Sequence, residues 1–204
     1  MNLKKINPNL QKALVENSLT DANELQHETF STIKSGADAV IQSDKCKGKT
    51  TTLVLNVIQK LEKPIGESTR GLIVVLNKEK AIETLTIFEN LNKYTNLRVI
   101  ACHDKSDIDD DKNVISAGMD VIIGTPNRIN DMFSSAGFNI NTIKILTVDD
   151  ADEIFRLRQD AIIQRLSMSV EKTQRLFFCS QITERVEVLA DKIMIEPLFF
   201  EMED

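Results

Sequence analysis

Gly48, Lys49 and Thr50 sit between two contrasting stretches of chain. Before them lies Ala39-Val40-Ile41-Gln42, short, apolar and β-branched, which reads as a buried strand. After them the chain has no Pro or Gly until Pro64, and Leu53, Val57 and Leu61 repeat at a helical spacing. Strand, polar loop, Gly-Lys-Thr and helix is the layout of a phosphate-binding loop. Backbone N–H groups and a helix N-terminus face an anion, the lysine reaches the terminal phosphates, and the threonine hydroxyl ligates Mg²⁺. Ser43 stands where the full pattern begins with Gly. Taken alone, the tripeptide also suits a lysine-rich surface turn. A second candidate follows the apolar run Thr142 to Val148: Asp149-Asp150-Ala151-Asp152. An acid at the carboxyl end of such a strand is the usual second Mg²⁺ position of a phosphate-loop protein.

Other groups suit chemistry less well. Asp107-x-Asp109-x-Asp111 resembles the opening of a calcium loop, but Lys112 takes the place of its turn glycine and Gly118 that of its bidentate glutamate. The run Asp104 to Asp111 is therefore expected to be a solvated charge run. His27 and His103 read as surface or packing residues. Cys46, Cys102 and Cys179 are far apart and show neither zinc spacing nor a disulfide framework, which places the protein in a reducing cytoplasm. Cys102 and Cys179 also suit plain burial.

The elements that must position these residues alternate. Asn7 and Pro8 open a helix to Asn17, and Thr20 or Asn23 caps a second through Lys34, closed by Ser35-Gly36. Beyond the loop and its helix come a strand over 71–76, an amphipathic helix over 78–93 and a strand over 98–102. A strand over 120–124, a helix opened by Thr125-Pro126-Asn127-Arg128, and the strand over 142–148 follow. Arg175 to Cys179 and Pro197 to Met202 make two further strands around a helix over 183–193. Such alternation predicts an α/β fold, a mostly parallel sheet with helices on both faces. Ligands then sit at the carboxyl ends of the strands, where Gly48, Asp149 and Cys179 are expected to converge.

Composition narrows the function classes. The 204 residues, 42% of them hydrophobic, fill one large domain. No apolar run reaches membrane-spanning length, and the first ten residues lack the apolar stretch of a signal peptide. A net charge of −6 argues against broad, charge-driven nucleic-acid binding and leaves room for a local basic patch. Nothing in the sequence fixes the oligomeric state.

In the order of its motifs, the chain resembles the first RecA-like domain of a DEAD-box RNA helicase, over essentially its whole length. The family's adenine-reading glutamine falls on Gln26, within a helical segment spanning residues 1–36. Its phosphate loop falls on Ser43 to Thr50, and its Pro-Thr-Arg-Glu-Leu-Ala segment on Leu76 to Ala81. Its Thr-Pro-Gly-Arg falls on Thr125 to Arg128, its Asp-Glu-Ala-Asp on Asp149 to Asp152, and its Ser-Ala-Thr on Cys179-Ser180-Gln181. The resemblance implies a RecA-like P-loop domain over residues 1–204 that takes ATP and Mg²⁺. Gln26, Gly48, Lys49 and Thr50 would hold the nucleotide, and Thr50 and Asp149 the metal. Asp149 and Asp150 would serve catalysis. Lys78, Thr125 and Arg128 would contact single-stranded RNA, and Cys179, Ser180 and Gln181 would couple the two sites.

The departures from the family pattern bear on function. Cys46 replaces a flexible glycine of the loop, flanked by Lys45 and Lys47, and the upstream aromatic that stacks on adenine aligns near Met1. Asp150 replaces the glutamate that orients the attacking water and is one methylene shorter. A misplacement of about 1 Å can cost on the order of a hundredfold in rate. Cys179-Ser180-Gln181 keeps one hydroxyl, in a shifted position. Only Lys78 keeps a cation of the Pro-Thr-Arg segment, and the family's RNA-facing Gly-Gly falls near Asp104, where five aspartates repel phosphate. The second RecA-like domain, which supplies arginine fingers worth roughly 10³–10⁵ in rate, has no counterpart in these residues. The chain is thus either a fragment or a one-domain protein. Three readings stand: an ATP–Mg²⁺-binding and RNA-binding domain with weak or no hydrolysis, a non-catalytic module docking on a helicase or ribonucleoprotein, and a helicase half that needs its other half.

Overall fold

The computed structural model describes residues 5–44 and 48–202. Lys45, Cys46, Lys47 and Met1 lie outside the described residues. Among the described residues, seven strands form one parallel sheet. They are β1 (Ala39–Gln42), β2 (Gly71–Val74), β3 (Val99–Cys102), β4 (Val121–Gly124), β5 (Ile145–Val148), β6 (Gln174–Cys179) and β7 (Leu198–Glu201), in the order β3-β4-β2-β5-β6-β1-β7. Every pairing is parallel, with registers such as Val40 opposite Phe177 and Ile73 opposite Thr147. The expected α/β architecture is therefore present, and fully parallel.

Alternation along each strand divides the core in two. Ile41, Ile73, Ile123 and Phe178 face one cluster with α1 (Pro8–Glu16), α2 (Glu24–Ser35), α3 (Lys49–Leu61) and α4 (Lys78–Asn92). Val40, Leu72, Ile122 and Phe177 face the other with α5 (Ile108–Ser116), α6 (Pro126–Ser134), α7 (Ala151–Arg156), α8 (Asp160–Met168) and α9 (Glu184–Ile193). Strands covered on both faces read as continuous apolar runs, because neither side meets water. No helix among the described residues is long and apolar enough to cross a membrane.

The helix starts follow their caps. Asn7 accepts from the N–H groups of Asn9 and Leu10, with Pro8 in the first turn. Of the two candidate caps for α2 it is Asn23 that serves. The acidic run departs from expectation. Asp107 caps α5 by accepting from Asp109 and Asp110 N–H, and Asp111 is buried, accepting from Ser106 Oγ at 2.7 Å. Aspartates gather here because a helix N-terminus stabilises them, so the run is a helix start more than a solvated stretch. The segment over 142–148 also differs: β5 begins only at Ile145, because 140–142 is a 3₁₀ turn whose Thr142 hydroxyl donates to Thr69 O at 2.6 Å. Helices α7 and α8, between Asp150 and β6, had no forecast.

Candidate nucleotide site

The site is built where β5, β6 and β1 lie side by side, so that their carboxyl ends open on the same edge. Gly48 has φ +80°, a left-handed conformation that a side chain would strain, and a Cβ there would also meet Asn23 Nδ2 at 3.1 Å. It starts α3, whose first N–H groups receive no side-chain cap among the described residues. A long helix that begins uncapped leaves donors and a positive dipole end for an anion.

Lys49 and Thr50, the first two residues of α3, are both buried. Thr50 Oγ1 donates to Asp149 Oδ2 at 2.7 Å. Lys49 Nζ donates to Ser180 Oγ at 2.8 Å and stands 3.5 Å from Asp150 Oδ1. Asp150, at the turn from β5 into α7, takes a left-handed φ of 51°, a conformation Asp tolerates better than most residues. Asp152, in the first turn of α7, accepts from the N–H groups of Ser180 and Gln181, both at 3.2 Å, and so holds the end of β6. Gln42, at the end of β1, accepts from Ile182 N–H at 2.7 Å. Three neighbouring strand ends are thus tied together by side chains, and the phosphate-loop lysine is fixed between two of them.

A cavity of about 340 Å³ opens beside this cluster. Gly48, Lys49, Thr50 and Asp150 line one side, Lys80 and Glu83 of α4 another. Lys80 Nζ is 3.7 Å from Asp149 Oδ2 and 3.4 Å from Glu83 Oε2. Burial pushes the Asp149 carboxyl above the usual carboxylate range and Asp150 adds to the rise, against Lys80, Thr50 and Lys49. Burial works against the charge on Lys80, but Asp149, Glu83 and Asp150 more than offset it and raise its pKa.

A sequence model of the DEAD/DEAH box helicases matches residues 23–187, most of the chain. The chain belongs to the DEAD/DEAH box helicase family. It is 24% identical over 199 residues to an ATP-dependent RNA helicase eIF4A of Meyerozyma guilliermondii, covering 97% of this chain and 49% of the relative. It is 25% identical over 207 residues to an ATP-dependent RNA helicase RhlB of Hamiltonella defensa, with the same coverage of both. The chain spans about half the length of the curated relatives it matches.

In this DEAD-box domain the residues expected at the nucleotide come together unevenly. Gly48, Lys49, Thr50, Asp149 and Asp150 form one cluster. Gln26 is buried in the first turn of α2, where its Oε1 accepts from Asn23 N–H at 3.2 Å while Asn23 Oδ1 accepts from Gln26 N–H at 2.9 Å. That reciprocal cap fixes the helix start that also sets Asn23 against Gly48. Cys179 does not converge on the site. Its thiol is buried in the core, weakly donating to Ile41 O at 3.7 Å, and desolvation, with Asp152 adding, pushes its pKa up to about 12. Ser180 takes its place at the cluster, and Gln181 is exposed.

Two of the three expected RNA-facing residues, Thr125 and Arg128, are engaged within the chain. Thr125 Oγ1 donates to Asp104 Oδ1 at 3.0 Å. Arg128 is buried; its guanidinium donates to His103 O at 3.0 Å and to Ser106 O, and lies 3.8 Å from Asp111. It braces the 103–106 turn. Lys78, the first residue of α4, is half-buried.

RNA helicases of this family use ATP with Mg²⁺. The donor set here fits that pair. Thr50 supplies a hydroxyl and Asp149 a carboxylate at one point, and Mg²⁺ is commonly held by one or two such oxygens together with substrate phosphates. Lys49 and the start of α3 stand beside them, where phosphates would fit. The residues missed from sequence are Lys80 and Glu83, whereas Asp152 belongs to the acidic motif already read there. Lys80 and Glu83 lie three apart at the start of α4, on one helix face, but that spacing does not say which strand end they overhang.

Proposed function

We propose that this chain is a nucleotide-binding domain that holds ATP–Mg²⁺, contacts single-stranded RNA, and hydrolyses ATP weakly or not at all without a second RecA-like domain. The observation that supports it most is the buried pairing of Thr50 with Asp149 and of Lys49 with Ser180, at a helix start with no side-chain cap among the described residues, beside a cavity of about 340 Å³. When bound, Mg²⁺ would neutralise charge on the terminal phosphates. Lys49 would exchange Ser180 and Asp150 for phosphate oxygens. Asp150, one methylene shorter than a glutamate and already paired with Lys49, is a weak group for orienting water. The separated cysteines fit a cytoplasmic setting.

The test is a thermal shift of the purified chain with ATP, ADP or AMP, with and without Mg²⁺, beside Lys49→Ala. Saturation near a hundredfold Kd stabilises by about 2.7 kcal/mol, or roughly 5–11 °C for a chain of this size. Loss of that shift in Lys49→Ala supports the reading. No shift at millimolar nucleotide in the parent chain sinks it.

A second reading is a non-catalytic module that docks on a helicase or ribonucleoprotein. The inward engagement of Thr125 and Arg128, two of the expected RNA contacts, favours it. Adding a second RecA-like domain in trans separates the two: RNA-stimulated hydrolysis supports a helicase half, and its absence the module.

A further inference from the structure

Lys80 is a cation placed where the metal acid sits, and neither the phosphate loop nor the acidic motif requires it. Asn77 caps α4 by accepting from Lys80 N–H at 2.9 Å. That fixes the turn from which the Lys80 side chain reaches the same Oδ2 of Asp149 that accepts from Thr50. Lys80 lies 3.7 Å from Asp149 and 3.4 Å from Glu83 on its own helix, and Lys49 lies 3.5 Å from Asp150, with Lys80, Glu83, Lys49 and Asp150 all lining the cavity. An ammonium is a compact point charge with three donors. It can serve a carboxylate and phosphate oxygens at once, as a hydrated divalent ion would. A divalent ion bound at Asp149 would stand a few ångströms from Nζ, close enough for strong mutual repulsion.

We propose that Lys80 acts as a built-in cation at the metal position, so that this chain binds a nucleoside triphosphate nearly as well without Mg²⁺ as with it. The inference rests on the nucleotide-binding reading above and concerns how that site is charged. The Lys80 ammonium bridges Asp149 and the terminal phosphates. Glu83, at the exposed rim, returns it to the site when the nucleotide leaves.

The experiment is calorimetric titration of the chain with ATP in EDTA and in millimolar Mg²⁺, for the parent, Lys80→Met and Lys80→Arg. The parent should differ by less than about threefold between the two buffers, well under the 1.4 kcal/mol that marks a tenfold change. Lys80→Met should lose about tenfold or more in EDTA and recover in Mg²⁺, and Lys80→Arg should stay close to the parent. A parent that binds only with Mg²⁺ overturns the inference and leaves the nucleotide reading intact, a result that needs no variant to fold. A Lys80→Met chain that still binds in EDTA overturns it too. No binding in either buffer overturns the nucleotide reading and this inference with it.

Discussion

Two aspartates, one at each end of the sheet, are both fully buried and treated in opposite ways. Asp120 precedes β4 at the amino ends of the strands. Its oxygens accept from Arg98 Nε at 2.8 Å, Arg98 N–H at 3.1 Å and Arg70 Nη2 at 2.8 Å. Burial alone would raise its pKa, but those donors outweigh burial and hold it below the usual range. Asp149 follows β5 at the carboxyl ends. It has Thr50, its neighbour's N–H and a lysine at 3.7 Å, and burial prevails. The amino end is a satisfied lock joining three strand entrances. At the carboxyl end the donors are weaker and burial outweighs them, a pattern that recurs at functional sites.

The largest expected effect lies at the lock. Asp120→Ala strands two arginines, and removing one partner of a buried pair costs about 3 kcal/mol or more. Melting should fall by roughly 6–12 °C. The pH dependence follows from the depressed pKa. The folded state holds the proton less tightly than the unfolded state, so Asp120 contributes fully above the unfolded-state value of about 3.9 and loses its contribution as pH falls through the folded value. Acid unfolding curves should therefore lose part of their slope below about pH 4 in the variant. A fall in Tm of less than about 2 °C would mean that the amino end is not the lock described.

Asp149→Asn should move the other way. A raised carboxyl pKa means the folded state binds the proton more tightly, so stability declines as pH climbs from the unfolded value through the folded one. The penalty is complete once pH exceeds the folded value. Replacing the charge with a neutral isostere should stabilise the nucleotide-free chain by about 1 kcal/mol, a rise of roughly 2–4 °C. The same variant should lose any Mg²⁺ enhancement of nucleotide binding. A drop in Tm would show that Lys80 and Thr50 compensate Asp149 as well as the arginines compensate Asp120.

That asymmetry explains what the sequence could reveal. Buried parallel strands advertise themselves, since runs such as GLIV and VIIG have no polar face to hide. The loop and the acidic motif were legible because a left-handed turn calls for Gly48 and because Lys49, Thr50 and Asp149 stand in the order and spacing of a phosphate-loop pattern. Lys80 was not, because its place in an amphipathic helix says nothing about which strand end it overhangs. The inward turn of Arg128 was equally hidden: its partners are carbonyls of the 103–106 turn, 22 and 25 residues earlier, and any sequence could supply them. Asp111 looked solvated because its neighbours are. One position in four along a helix start faces inward, and composition does not say which.

The smallest expected stability effect separates fold from site at Gln26. Its Oε1 completes the cap of α2 by accepting from Asn23 N–H, and a carboxylate oxygen can do the same. A glutamate in the first helical turn is also favoured by the helix dipole. Gln26→Glu should therefore leave the fold within about 0.5 kcal/mol, or roughly 1–2 °C in Tm. The side-chain N–H₂ is gone, so under the proposed adenine contact any preference for ATP over GTP in nucleotide-induced shifts should disappear. Gln26→Ala removes the acceptor as well and should cost more, about 0.5–2 kcal/mol as caps do. If Gln26→Glu destabilises as much as Gln26→Ala, the amide donor serves the fold, and Gln26 belongs with the satisfied lock instead of the open edge.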